Sequence, residues 1–85
     1  MRGTGPVKWG SEVVYTFFTM EENVINVRLS MDEADRLNVI EGVRVNITLP
    51  HRTPVNLLVT AIVREPPFVW VELATSMPEA TGEDE

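Results

Sequence analysis

The sequence predicts an all-β domain, a small barrel or half-barrel of five strands in the order β-β-α-β-β-β with one short helix. Three observations lead to this prediction. Apolar residues recur with a period of two through most of residues 12–74, one segment near residue 31 has helical spacing instead, and 85 residues suffice for a single domain. Five short strands with one helix favour a closed or nearly closed barrel, because closure removes exposed strand edges.

The predicted strands alternate between a core face and an outer face. They occupy residues 12–20, 24–30, 43–49, 55–64 and 68–74. The first is β-branched and aromatic on both faces, which is typical of a strand that is covered on both sides. Alternation in the fourth strand predicts one core face made of Val55, Leu57, Val59, Ala61 and Val63.

The predicted helix covers residues 31–38. Ser30 and Glu33 form a capping-box pattern, in which the hydroxyl accepts from one backbone amide and the carboxylate from another. The helix is expected to end at Asn38, and Gly42 allows the backbone to turn into the next strand. Three apolar residues have helical spacing inside it: Met31, Ala34 and Leu37.

The two ends of the chain differ in composition from the 12–74 domain. Residues 1–11 hold three of the five glycines and are predicted to be a flexible segment, and residues 75–85 are predicted to be an acidic disordered tail. The formal charge is −6, and four of the thirteen acidic residues lie among the last seven positions. A domain that binds duplex DNA through phosphates usually has a basic balance, which this chain lacks.

Composition also bears on the compartment. The chain has no cysteine, so disulfides and thiolate metal sites are excluded. No apolar run has the ~18 residues of a membrane helix, and the first residues lack the apolar core of a signal peptide. We therefore expect a cytoplasmic protein without a membrane segment.

The sequence offers little for catalysis or metal binding. The single histidine, His51, lies in a proline-flanked turn, and we interpret it as a solvated residue rather than a general base. The carboxylates of Asp32, Glu33 and Asp35 would suit a hard cation, but they also suit the positive end of a helix, which is the interpretation we favour. We expect no enzyme activity, no cofactor and no metal.

Two sets of side chains are candidate binding residues. Arg28, Arg44, Arg52 and Arg64 either contact an anionic partner such as DNA or are separate solubilising charges. Leu58, Ile62, Phe68 and Trp70 lie on strand faces opposite the predicted core and are the candidate anchors for a protein partner. This apolar surplus implies either a barrel that closes within one chain or a patch that meets another chain, and pairing of two chains as a homodimer would cover it.

Residues 27–45 (VRLSMDEADRLNVIEGVRV) resemble the strand–helix–turn–strand unit of double-psi and related cradle-loop β-barrels. That unit occurs in molybdopterin dinucleotide-binding domains, in N-terminal domains of some AAA ATPases and, in a looser form, in AbrB-type swapped-hairpin transcription regulators. The resemblance implies a shape and transfers no cofactor or DNA-contact residue, because it lies at packing and turn positions. These positions are Leu29, Ala34, Leu37, Val39, Gly42 and Val45.

The function that the sequence favours is a non-enzymatic module that binds a protein partner, as an adaptor, inhibitor or regulator. The alternative is a dimeric AbrB-like DNA-binding regulator that uses the four arginines on phosphates. A third possibility, a small ligand in the mouth of the barrel, has no marker in the sequence.

Overall fold

The computed structural model describes residues 1–75, and this part of the chain forms six strands and one helix. Neighbouring strands are antiparallel, and the order around the wall is β1-β2-β3-β6-β5-β4, closing back to β1 as a barrel. The prediction of a small all-β barrel with one short helix is therefore confirmed. The elements are β1 (Arg2–Trp9), β2 (Glu12–Glu21), β3 (Val24–Ser30), α1 (Met31–Leu37), β4 (Arg44–Thr48), β5 (Val55–Glu65) and β6 (Phe68–Ala74).

The prediction of five strands was wrong by one, because residues 1–11 are not a flexible segment. Strand β1 pairs with β2 along its whole length, from Arg2 opposite Thr19 to Trp9 opposite Glu12. Its glycines hide the alternation, and at Gly5 an added Cβ would lie only 3.1 Å from the Pro50 ring. A glycine at such a position is a packing choice, although in the sequence it is typical of a loose end. The predicted tail lies outside the described residues except for Thr75.

The barrel closes within one chain. Strands β1 and β4 pair through Trp9 opposite Ile47 and Lys8 opposite Thr48, and the Gly10 amide donates to the Asn46 carbonyl at 2.8 Å. The sheet thus becomes a barrel without a second chain, although the pairing that closes it covers only the last two residues of β1.

The helix forms as predicted and lies at one end of the barrel. The Glu33 amide donates to the Ser30 hydroxyl at 3.0 Å, and the Ser30 amide donates to the Glu33 carboxylate at 2.9 Å. Asn38 then adopts the left-handed conformation with φ of 58° and ends the helix. Ala34 is buried, and the helix contacts β3 and β6.

The core fills the barrel with aliphatic side chains. Alternation in β3 and β6 is strict, so alternate residues of each strand point inward and are fully buried. The core residues with no appreciable exposure are Val7, Val27, Leu29, Ile47, Val59, Val69, Val71 and Leu73.

A β-bulge in β5 overturns the predicted faces of that strand. The register with β6 shifts between Val59 and Ala61, so Thr60 is an extra residue there. Beyond the bulge the faces exchange, because one inserted residue reverses the period of two. Ile62 consequently packs against the core, whereas Val63, predicted to be a core residue, is 50% exposed.

Candidate protein-binding surface

The outer side of β2, β3 and β6 carries a group of aromatic side chains around one arginine. We call this surface the aromatic face and define it by five residues: Tyr15, Phe17, Arg28, Phe68 and Trp70. All of them occupy outward positions, because their strand neighbours Val14, Phe18, Val27, Leu29, Val69 and Val71 are buried in the core. The residues that β2, β3 and β6 point into the core therefore determine which of their residues form this outer surface.

Strand register brings these side chains into one row. Arg28 lies opposite Trp70, and Trp70 lies opposite Val63 on the next strand. On the other side of Arg28, the pair Phe18–Val27 places Phe17 beside it. The row thus crosses four consecutive strands of the barrel wall.

The Arg28 guanidinium is stacked between two rings. Its Cζ lies 4.4 Å from the centroid of the Phe68 ring and 5.6 Å from that of Phe17. Phe17 also meets Trp70 edge-to-face, with centroids 6.0 Å apart and an interplanar angle of 89°. Each exposed cation–π contact contributes about 0.5–1 kcal/mol, so the side chains of the face restrain one another.

Hydrogen bonds from two threonine hydroxyls hold the strands beneath the face. The Thr16 hydroxyl, which is buried, donates to the Arg28 carbonyl. On β6, the Glu72 carboxylate and carbonyl both accept from the Thr60 hydroxyl at the bulge, at 2.8 and 3.2 Å. These two contacts tie β3 and β6 to their neighbours on either side of the aromatic row.

Much of the face is accessible. Tyr15 is 76% exposed and Phe68 37% exposed, while Phe17, Arg28 and Trp70 are half-buried by contact with one another. Tyr15 and Phe68 are therefore the rings that a partner can reach most easily, and exposed apolar side chains grouped on one surface often mark an interaction site.

The four predicted anchors fall into two pairs. Phe68 and Trp70 belong to the aromatic face. The other two are not on the accessible surface: Leu58 is only 9% exposed, between its register partners Arg44 and Ala74, and the bulge turns Ile62 toward the core. The prediction for Ile62 was wrong because it assumed unbroken alternation through Thr60, where the bulge inserts one residue.

Phe17 was missed as a candidate residue of this surface, although the sequence contains a signal for its outward position. Taking Phe18 as the inward residue of β2 places Phe17 outward, and antiparallel pairing with β3 then sets it beside Arg28. Strand register cannot be read from the residue pattern. The contacts among Phe17, Arg28 and Trp70 were therefore found only from the structure.

The four arginines do not come together. Arg28 is in the aromatic face, Arg44 on β4 donates to a backbone carbonyl after β6 at 3.3 Å, and the Arg52 guanidinium contacts the Met1 sulfur at 3.3 Å. Arg64 lies near α1, in a cavity that Asp35 also lines. Within residues 1–75, these arginines have separate contacts on separate elements and form no shared site.

Other candidate chemistry is dispersed. His51 is exposed in the turn after β4, and the Ser30 hydroxyl is occupied by the helix cap. In the described range, no three histidine or carboxylate side chains gather as a metal site. Within the same range, no helix has the length and apolar character needed to cross a membrane.

Comparison with protein-family models, curated proteins and solved structures gives no match to this chain. The resemblance of residues 27–45 to cradle-loop barrels therefore stays a prediction, and any functional argument depends on the chain's own geometry.

Proposed function

We propose that this chain is a non-enzymatic module that binds a protein partner through the aromatic face. The observation that carries the proposal is the row of Phe17, Arg28 and Trp70 on the outside of a barrel whose interior is already filled. These side chains are not needed to fill the core, so a role outside the barrel is the better account of them.

The chemistry of the face is that of a protein interface. Tryptophan, tyrosine and arginine dominate binding energy at such surfaces. The two aromatic residues bring large contact areas with few rotatable bonds, and arginine brings several hydrogen-bond donors in a planar group. Stacking between Phe17 and Phe68 orders the Arg28 side chain before binding, which lowers the entropy lost in a complex. Its edge donors are left to bind carboxylates or carbonyls of the partner.

Site-specific photo-crosslinking tests the proposal. A benzophenone amino acid at Phe68 should yield a crosslinked protein partner in host cells, and the same amino acid at Val43 should not. Val43 is also exposed but precedes β4, away from the face. Equal products from both positions, or none from Phe68 in a folded protein, would contradict the proposal.

A second variant separates binding from folding. Tyr15→Ala removes the most exposed ring of the face and should reduce the crosslink from Phe68 while leaving the fold intact. Retention of the full crosslink would show that Tyr15 takes no part in the interface.

The alternative, a dimeric DNA-binding regulator, makes a different prediction. Fluorescence anisotropy with duplex DNA at two salt concentrations would show binding that weakens steeply with salt, because phosphate contacts release counterions. The dispersal of the four arginines over separate elements favours the protein partner. We also propose a cytoplasmic location, supported by the lack of cysteine.

A further inference from the structure

The end of the barrel opposite α1 holds a cavity of about 560 Å³. It lies where β2 ends and β3 and β5 begin, and the loop between β4 and β5 borders it. We call this region the mouth. Its lining includes Met20, Ile25, Leu49, Pro50, Arg52 and Val55.

An apolar surface extends from the mouth to a neighbouring cavity of about 340 Å³. The two cavities are adjacent, since both are lined by Met20, Ile25 and Val55, and together they form a depression whose lining also includes Glu22 and Asn23. Its floor consists of core residues, since Ile25, Leu49 and Leu57 are buried. Val55, by contrast, is 42% exposed on the wall. Binding sites for small molecules have this shape and a volume of about 300–1,000 Å³.

Two cationic groups stand at the border of this depression: the Met1 ammonium, which donates to the Met20 carbonyl at 2.9 Å, and the Arg52 guanidinium. Within residues 1–75, the Arg52 guanidinium donates a hydrogen bond only to the Met1 sulfur, and a thioether is a weak acceptor. Among residues 1–75 no carboxylate forms an ion pair with Arg52. The single ion pair within those residues joins Arg36 to Glu12, near the α1 end of the barrel. Arg52 therefore has donors for an anion beside an apolar surface.

We propose that the mouth binds a single-chain amphiphile with a carboxylate head group. The head group pairs with Arg52, and the alkyl chain lies on Met20, Ile25 and Val55. A guanidinium matches a carboxylate in geometry and charge, and the apolar floor takes the chain out of water. The mouth and the aromatic face share no residue, so this inference does not depend on the proposed function.

Methyl NMR of the full chain tests the proposal with decanoate as the probe. Protein labelled at the methionine methyl groups should show a saturable shift of the Met20 signal, while Met31 at the α1 end serves as the internal control. Decanol has the same chain length without the charge and should bind about five-fold more weakly, the value of one surface ion pair.

Matched arginine variants locate the head group. Arg52→Gln should weaken decanoate binding about five-fold and leave decanol unaffected, whereas Arg44→Gln on β4 should change neither. Val55→Glu should abolish decanoate binding. The new carboxylate would lie on the apolar surface that the alkyl chain covers, and it would also repel the carboxylate of decanoate. The proposal is overturned if Met20 does not shift, if Met31 shifts equally, or if Arg52→Gln leaves the preference for decanoate intact.

Discussion

The barrel is held together very differently at two of its strand pairs. Strands β3 and β6 are matched over seven consecutive positions, from Val24 opposite Ala74 to Ser30 opposite Phe68. Strands β1 and β4 meet at only two matched positions, with one further backbone hydrogen bond at Gly10. Closure of this barrel therefore depends on its shortest pairing, while the aromatic face lies over one of its long pairings.

The largest effect is expected inside the β3–β6 pair. Leu29→Ala should lower the free energy of unfolding by about 2–5 kcal/mol, because it leaves a cavity at a fully buried site. That is a large share of the ~5–15 kcal/mol of a typical domain. Urea unfolding followed by circular dichroism measures it. Ile40→Ala removes as many carbon atoms from an exposed loop position and should change stability by less than about 0.5 kcal/mol.

A second prediction concerns the β1–β4 pair in the native state. The Gly10 amide should exchange with solvent at least about ten-fold faster than the Val27 and Val71 amides, since locally held segments open at lower free energy than the core. Hydrogen exchange followed by NMR measures the three rates in one experiment. Equal protection would mean that the barrel opens only as a whole.

The third prediction concerns the point where β3 passes into α1. Ser30→Ala removes the acceptor for the Glu33 amide and should cost about 1 kcal/mol of stability. Ser30→Asp keeps an acceptor at the cap and should recover most of the loss. If both variants unfold at the same urea concentration as the parent chain, the capping box contributes nothing to the fold.

The smallest effect on stability is expected on the outside of the β2–β3–β6 wall. Tyr15→Ala should change the free energy of unfolding by less than about 0.5 kcal/mol, because the ring is mostly in water. If the face also binds a second copy of the chain, the same variant should lower the mass measured by light scattering at ~10 µM toward 9.6 kDa. A parent chain already at that mass removes the homodimer.

The sequence was sufficient where local rules decide the structure. Strict alternation in β3 and β6 and the capping box at Ser30 identified both strands and the helix, because each depends on neighbours within one turn or one pleat. It was insufficient at β1, where the glycines interrupt the apolar pattern and Gly5 allows a close approach to Pro50.

Candidate binding residues were harder to predict than the fold. Alternation alone placed Phe68 and Trp70 correctly on the outer face of β6, whereas Ile62 was assigned to the wrong face of β5. The bulge at Thr60 reverses the phase of β5, and no single residue type marks such an insertion. Phe17 entered the site through strand register, a long-range property that a residue pattern does not contain.

The position of β6 between β3 and β5 also has a consequence for how quickly the chain folds. Hairpins β1–β2 and β2–β3 can form from neighbouring residues, but β3 must wait for a partner about forty residues further along. Contacts between such distant segments slow folding, since the intervening loop loses entropy before any pairing rewards it. Until Phe68–Ala74 docks, Val27 and Leu29 lie along an unpaired edge, so the interval before that step is when the chain is most exposed to aggregation.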